Sequence, residues 1–196
     1  MQSKGIVLRS SIFKDRQRIL QLYTEKFGLV SAVIKGISSQ KVASPLFCDL
    51  FCEAEFVLVA GKSDLKKFQE ASLLDLHLAL RTNLSYLKTA SSMTSAILRW
   101  QLPESASFDL YHLLSSFLKQ IPLFSSQETL LGCFYLKLLK HEGLFHPECF
   151  PVGLKEKERL FQLSSMQSFS ELKKFSLIND IFSQIESVFL EETHKH

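Results

Sequence analysis

Before Asp75, apolar and polar positions alternate with period two in several short stretches; after it, they recur at spacings of three and four. Around Gly28–Gly36 the alternation is clearest: Val30, Ala32, Ile34 and Gly36 fall on one side, Ser31 and Lys35, with Leu29 and Val33, on the other. This period predicts a half-buried strand. Ile6, Val7 and Leu8 mark an earlier strand, and Ile19, Leu22, Tyr23 and Thr24 a second. Between the second and third, Glu25-Lys26-Phe27-Gly28 reads as a hairpin loop with Gly28 where positive φ is tolerated. Residues 37–45 form a polar connection closed by Pro45, hence a loop. Residues 47–60 carry the longest alternation. Leu50, Cys52, Ala54, Phe56 and Leu58 lie on one face, with Phe51, Glu53, Glu55, Val57 and Val59 opposite. The expectation is a long fourth strand with its acidic residues in water. Gly61-Lys62-Ser63-Asp64 is a turn, and Leu65–Leu74 a fifth strand. Five short strands without an intervening long helix predict a small Greek-key barrel of the OB type.

Helical spacing takes over beyond Asp75. Leu80, Leu84, Leu87, Met93 or Ala96, Ile97 and Trp100 line one face of a first helix, ended by Leu102-Pro103. Ser107-Phe108-Asp109 opens a second helix that runs to Ile121-Pro122. Ser126-Gln127-Glu128 opens a third, with Leu130, Leu131, Phe134 and Leu138 buried and Gly143 at its end. Leu154–Leu163 and then Ser168–Glu192 are again helical, the latter with Leu172, Phe175, Ile178, Phe182, Ile185 and Phe189 at spacings of three and four. The fold class expected is α+β: a five-stranded OB barrel over residues 1–76, followed by an all-helical domain over 77–196.

Charge changes this picture from a fold to a candidate function. Residues 1–41 hold eight Lys/Arg against Asp15 and Glu25, a surplus of six in a chain whose net charge is +3, so the remainder is net negative. A basic β-rich module beside a mildly acidic remainder points to a polyanion partner. Any one of these cations can simply solvate a sheet, but the asymmetry as a whole favours nucleic acid. The candidate DNA-binding residues are Lys4, Arg9, Phe13, Lys14, Arg16, Arg18, Lys35 and Lys41. Phe13, Lys14, Arg16 and Arg18 are placed in the connection between strands one and two, which in OB folds flanks the nucleic-acid groove. Phe13 either stacks on a base or packs into the barrel mouth. No uncharged run approaches the roughly 18 residues of a membrane span, and the N-terminus lacks the apolar core of a signal peptide. Four cysteines outside any dense framework fit reduced thiols. The expected location is the cytoplasm.

The ordered features resemble the bacterial recombination mediator family RecO. The resemblance rests on Lys4-Gly5-Ile6-Val7-Leu8-Arg9-Ser10, on Arg18-Ile19-Leu20 with Leu22-Tyr23-Thr24-Glu25, and on Gly28-Leu29-Val30-Ser31-Ala32-Val33-Ile34-Lys35-Gly36. Arg81-Thr82-Asn83-Leu84 at the first helix adds to it. The match is good over residues 4–36, fair to about residue 145 and weak beyond. It implies an OB fold with a helical C-terminal region and a non-enzymatic role in DNA repair and recombination. That role comprises binding single- and double-stranded DNA, annealing complementary strands and partnership with RecR. The resemblance further implies binding of the acidic C-terminal tail of single-stranded-DNA-binding protein, help in loading RecA, and association with the nucleoid. Alternatives with the same physics are an OB-fold RNA-binding protein and an adaptor for acidic peptide tails.

Two departures from the family pattern stand out. After Lys35-Gly36 the next cation is delayed to Lys41. Many relatives also carry a four-cysteine zinc site after the helix that ends here near Gly143. This chain has only Cys149 there; His146 and Cys149 have the spacing of half a zinc site, and no second pair follows. No metal or cofactor is expected. Cys48 and Cys52 read as small core residues on one strand face. No phosphate-binding loop, nucleophile elbow, zinc-protease motif or paired-carboxylate cluster is present. His77, His112 and His141 stand isolated among leucines, so no catalytic residue is assigned.

Overall fold

The computed structural model describes residues 1–13, 17–35, 46–61, 64–103, 105–177 and 179–193. Five strands, β1 (Gln2–Ile12), β2 (Gln17–Thr24), β3 (Gly28–Lys35), β4 (Glu53–Val59) and β5 (Lys66–Asp75), close into a barrel in the order β1-β2-β3-β5-β4. β1, β2 and β3 form an antiparallel meander, β4 returns to β1, and β5 pairs antiparallel with β4 and parallel with β3. This is the OB fold. Val7, Leu20, Leu22, Val30, Ala32, Ile34, Ala54, Phe56 and Leu58 fill the barrel, joined by Cys48 and Cys52. Full closure leaves the short strands no long edge, which suits a small sheet with few residues to bury. Gly28 has φ +64°, and a Cβ there would stand 2.1 Å from the Ser105 carbonyl oxygen. Only glycine meets both demands.

The fourth strand is shorter than the alternation predicts. Leu46–Cys48 is a 3-10 turn, and Phe51 turns the chain with φ +68°, so β4 begins only at Glu53. Phe47 stacks on Phe68 at 4.9 Å, and Cys48 enters the core from the turn rather than from a strand. Glu53 is not in water, as the sequence suggested, but 6% exposed. Its carboxylate accepts from Tyr111 Oη at 2.7 Å and from Ser115 Oγ at 3.1 Å, and His77 Nε2 lies 3.8 Å away. Burial first, and then the bond to Glu53, push the Tyr111 hydroxyl well above the usual tyrosine range. Alternation identifies the outer side of a strand but not what covers it; here a helix does.

That helix is α2 (Phe108–Gln120). The chain groups into two compact units, Met1–Ala79 with Gln101–Leu118, and Leu80–Trp100 with Lys119–His196. The sequence divides it at 76/77, close to the end of β5, yet Gln101–Leu118 group with the barrel. Tyr23 Oη reaches Gln101 at 3.4 Å, Leu29 bridges Pro103, and His112 Nε2 lies 3.2 Å from Glu25 Oε1.

The second unit is helical: α1 (Leu84–Trp100), α3 (Gln127–His141), α4 (Leu154–Ser165), α5 (Phe169–Leu172) and α6 (Asn179–Thr193). α3 packs against α1, α4 and α6. It is apolar nearly all round, as a central helix must be, and Ser126 caps it by accepting from the Thr129 amide at 3.2 Å. Tyr135 stacks on Phe189 at 4.2 Å and Phe189 on Trp100 at 5.3 Å. The tail is not the single helix that its apolar spacing suggests. The chain breaks after Leu172, and the Leu177 amide donates to Thr129 Oγ1 at 3.1 Å rather than continuing a helix. Ile178 lies outside the described residues.

Candidate nucleic-acid interface

Because Leu20, Leu22, Val30, Ala32 and Ile34 point into the barrel, their neighbours Gln21, Ser31 and Lys35 point out. Strand register then sets rows across the outer surface. Arg9 stands beside Gln21 and Gln21 beside Ser31, while Gln17 stands beside Lys35. A bulge between Val7 and Arg9 turns Arg9 outward. On the far side of β3, Val33 pairs with Lys67 and Ala32 with Lys66. Arg9, Lys35 and Lys67 are exposed, so the outer surface of β1, β2, β3 and the start of β5 combines three cations with Gln and Ser side chains.

The other candidates divide. Arg18 lies within β2, not in the connection before it, in register with Ile12 and Ile34. It is therefore on the inward parity at the barrel mouth, where Nη1 donates to Ser10 Oγ at 3.1 Å. Phe13 follows β1, exposed, its amide donating to the Gln17 carbonyl at 2.8 Å. Lys4 stands apart, opposite Glu55 and five residues before Arg9, about 16 Å along the strand. Lys14, Arg16 and Lys41 lie outside the described residues. Lys66 and Lys67 join the candidate cations only through the structure. Their signal was available: a Lys doublet opening a strand directly after the turn between strands four and five, a connection that in OB folds borders the binding face.

Chemistry of bond making finds no support among the described residues. Glu53, Tyr111, Ser115 and His77 bring an acid, two hydroxyls and an imidazole together, but all are under a tenth exposed. The cluster holds α2 and gives a substrate no access. No group of three or more His, Cys, Asp or Glu able to hold a metal occurs among the described residues. Cys149 is exposed, on a 3-10 turn (Pro147–Cys149). Nor is any described helix long and apolar enough to cross a membrane.

With barrel order and outer face established, residues 1–77 match the family described as Recombination protein O N terminal. Residues 1–77 are a RecO-type N-terminal domain. Similarity to curated RecO proteins extends beyond that domain. The chain is 29% identical over 146 residues to the DNA repair protein RecO of Clostridium novyi, covering 72% of this chain and 56% of the relative. It is 31% identical over 145 residues to that of Clostridium kluyveri, covering 72% and 55%. The RecO of Desulfitobacterium hafniense strain DCB-2 is 30% identical over 161 residues, covering 80% and 58%. The chain thus spans about half the length of the curated relatives it matches. In this RecO-type domain, Arg9, Lys35 and Lys67 are exposed on the outer side of β1, β3 and β5.

Proposed function

We propose that the chain acts as a DNA-binding recombination mediator in gap repair, in the bacterial cytoplasm and at the nucleoid. It binds single- and double-stranded DNA through the RecO-type domain and anneals complementary strands. The observation that carries this reading is the exposure of Arg9, Lys35 and Lys67 on the outer side of β1, β3 and β5, the kind of barrel surface that OB folds offer to oligonucleotides. Annealing requires no bond chemistry. It needs phosphates neutralised so that two strands can approach, and bases left accessible for pairing. Partnership with RecR, and help in loading RecA onto strands covered by single-stranded-DNA-binding protein, rest on the resemblance to RecO.

Titration of labelled single-stranded DNA at several salt concentrations tests the reading. Replacing Arg9, Lys35 and Lys67 together by Gln is expected to weaken binding whatever the sequence. It should also flatten the slope of log K against log salt by about 0.7 per lost contact, about 2 in all. Circular dichroism should not change, since these side chains lie in solvent. Wild-type affinity and slope in the triple variant would remove this face as the DNA site. Competition with RNA and with an acidic peptide in the same assay separates a DNA protein from the two alternatives.

For the acidic tail, the helical unit offers an open cleft of about 260 Å³ between α1, α3 and α6, where Arg99 stands with Ser92, Ser95, Tyr135 and Phe189 and with one acid, Glu186. A guanidinium takes a carboxylate with two parallel hydrogen bonds. Arg99→Glu is expected to abolish binding of an acidic tail peptide in fluorescence anisotropy and to leave DNA affinity intact. Retained peptide binding would exclude the cleft.

A further inference from the structure

We propose that the outer face of the RecO-type domain carries a pocket for one unpaired nucleobase, with guanine preferred. This rests on the DNA-binding reading and adds to it a sequence preference. An open cavity of about 270 Å³ runs along β3, lined by Gln21, Leu29, Ser31, Asp64, Lys66 and Pro103 over a floor at Val30. It lies just below the roughly 300–1,000 Å³ of pockets that take a whole drug-sized ligand. Its size therefore suits one flat heterocycle.

The lining has the character that a base requires. Leu29 and Pro103, adjacent through a backbone bridge, make an apolar wall at one end, and apolar side chains are a usual surface for an extruded base. Gln21 and Ser31, side by side in register, supply groups that both donate and accept. From the β5 side come Asp64, which offers only acceptors when ionised, and Lys66, which offers only donors. The lining therefore offers a base edge both donors and acceptors, with a full acceptor and a full donor on the β5 side. Guanine alone among the DNA bases places two adjacent N–H donors, at N1 and N2, beside the O6 acceptor. Asp64 suits the donor pair, and Lys66 suits O6 and N7, the atoms that Lys commonly reads. The position supports the same occupant. Gln21 and Ser31 continue the row that begins at Arg9, so a strand whose phosphates meet Arg9 passes its bases close to the cavity.

The test compares a short all-thymine strand with the same strand carrying one central guanine, adenine or cytosine, measured by anisotropy on the full chain. The guanine strand should bind at least about fivefold tighter, the lower end for one bidentate base contact. Asp64→Ala, at an exposed position, removes the acceptors, and Ser31→Phe fills the cavity. Each is expected to bring the guanine-to-thymine ratio close to one, with an unchanged melting temperature for Asp64→Ala confirming its fold. Equal binding of all strands by the wild type, a preference for another base, or a ratio unaltered in Asp64→Ala would overturn the pocket while leaving DNA binding standing. Failure to bind any strand would overturn the DNA reading, and the pocket with it.

Discussion

Single residues hold this fold at points where no neighbour can substitute. Gly28 combines a left-handed backbone with a close approach to the Ser105 carbonyl. Gly28→Ala adds a left-handed penalty of about 1–2 kcal/mol to an overpacking cost of about 1–3 kcal/mol. The variant should lose about 2–5 kcal/mol in urea unfolding. At Tyr111 the hydroxyl supports the buried Glu53 carboxylate, so Tyr111→Phe should cost about 1–3 kcal/mol at neutral pH. A pH signature accompanies it. Because the folded protein holds Tyr111 above its unfolded value of 10.0, the unfolded chain ionises first, and stability falls as pH rises beyond that value. Tyr111→Phe should reduce that alkaline slope; an unchanged slope would separate Tyr111 from it. The cysteines give a third test. Burial pushes the Cys133 thiol up to about 12, Cys48 and Cys52 sit in the barrel core, and Cys149 is exposed. Under native conditions an alkylating reagent should modify Cys149 first, as mass spectrometry of the digest would show, and the other three only on unfolding.

At the scale of elements, period and turn chemistry carry most of the legible information. Strands β1, β2, β3 and β5 and helices α2 to α4 lie where alternation, helical spacing and the residues that end them place them, whereas α1 opens late: Leu80 belongs to a preceding 3-10 turn (Leu78–Thr82) and Leu84 is exposed. The failures share a cause, which is that spacing describes one segment and not its neighbours. Residues 47–52 alternate like a strand, but Phe51 adopts positive φ and the turn before it feeds Phe47 and Cys48 to the barrel. The spacing of Leu172, Phe175 and Ile185 continues as if one helix ran through, while Thr129 on α3 takes the Leu177 amide out of any helix. Glu53 reads as a solvated acid because nothing near it in the chain announces Tyr111 and Ser115, about sixty residues on. For the candidate site, the sequence locates the basic module, and register decides its members. It sets Arg9, Lys35 and Lys67 on the outer side, turns Arg18 to the barrel mouth and leaves Lys4 beside Glu55.

On the scale of the whole chain, the two units are interleaved in sequence. The barrel's strands end at Asp75, yet Gln101–Leu118 group with it, supplying Tyr111 and Ser115 to Glu53, Gln101 to Tyr23, and the Ser105 carbonyl beside Gly28. A fragment ending at Ala79 would keep every strand but uncover the outer side of β4 and strand Glu53 without its donors. It is expected to melt broadly and bind a hydrophobic dye, whereas the full chain melts sharply. A sharp transition in the fragment would show that the barrel is self-sufficient.

Interleaving also bears on how the protein comes off the ribosome. Domains of a nascent chain tend to fold as each is completed, the N-terminal one first, at synthesis rates of about 5–20 residues per second. Here the last strand emerges well before Leu118, which closes the barrel unit. For the seconds that translation takes to cover this interval, the newborn barrel carries a buried-type carboxylate still awaiting the Tyr111 and Ser115 hydroxyls. Meanwhile α1, which belongs to the other unit, is already outside the tunnel and waiting for α3. Until Leu118 has emerged, the nascent barrel exposes surface of the kind that chaperones bind. Slowing translation between codons 80 and 118 would lengthen that exposure and lower the soluble yield without changing one amino acid.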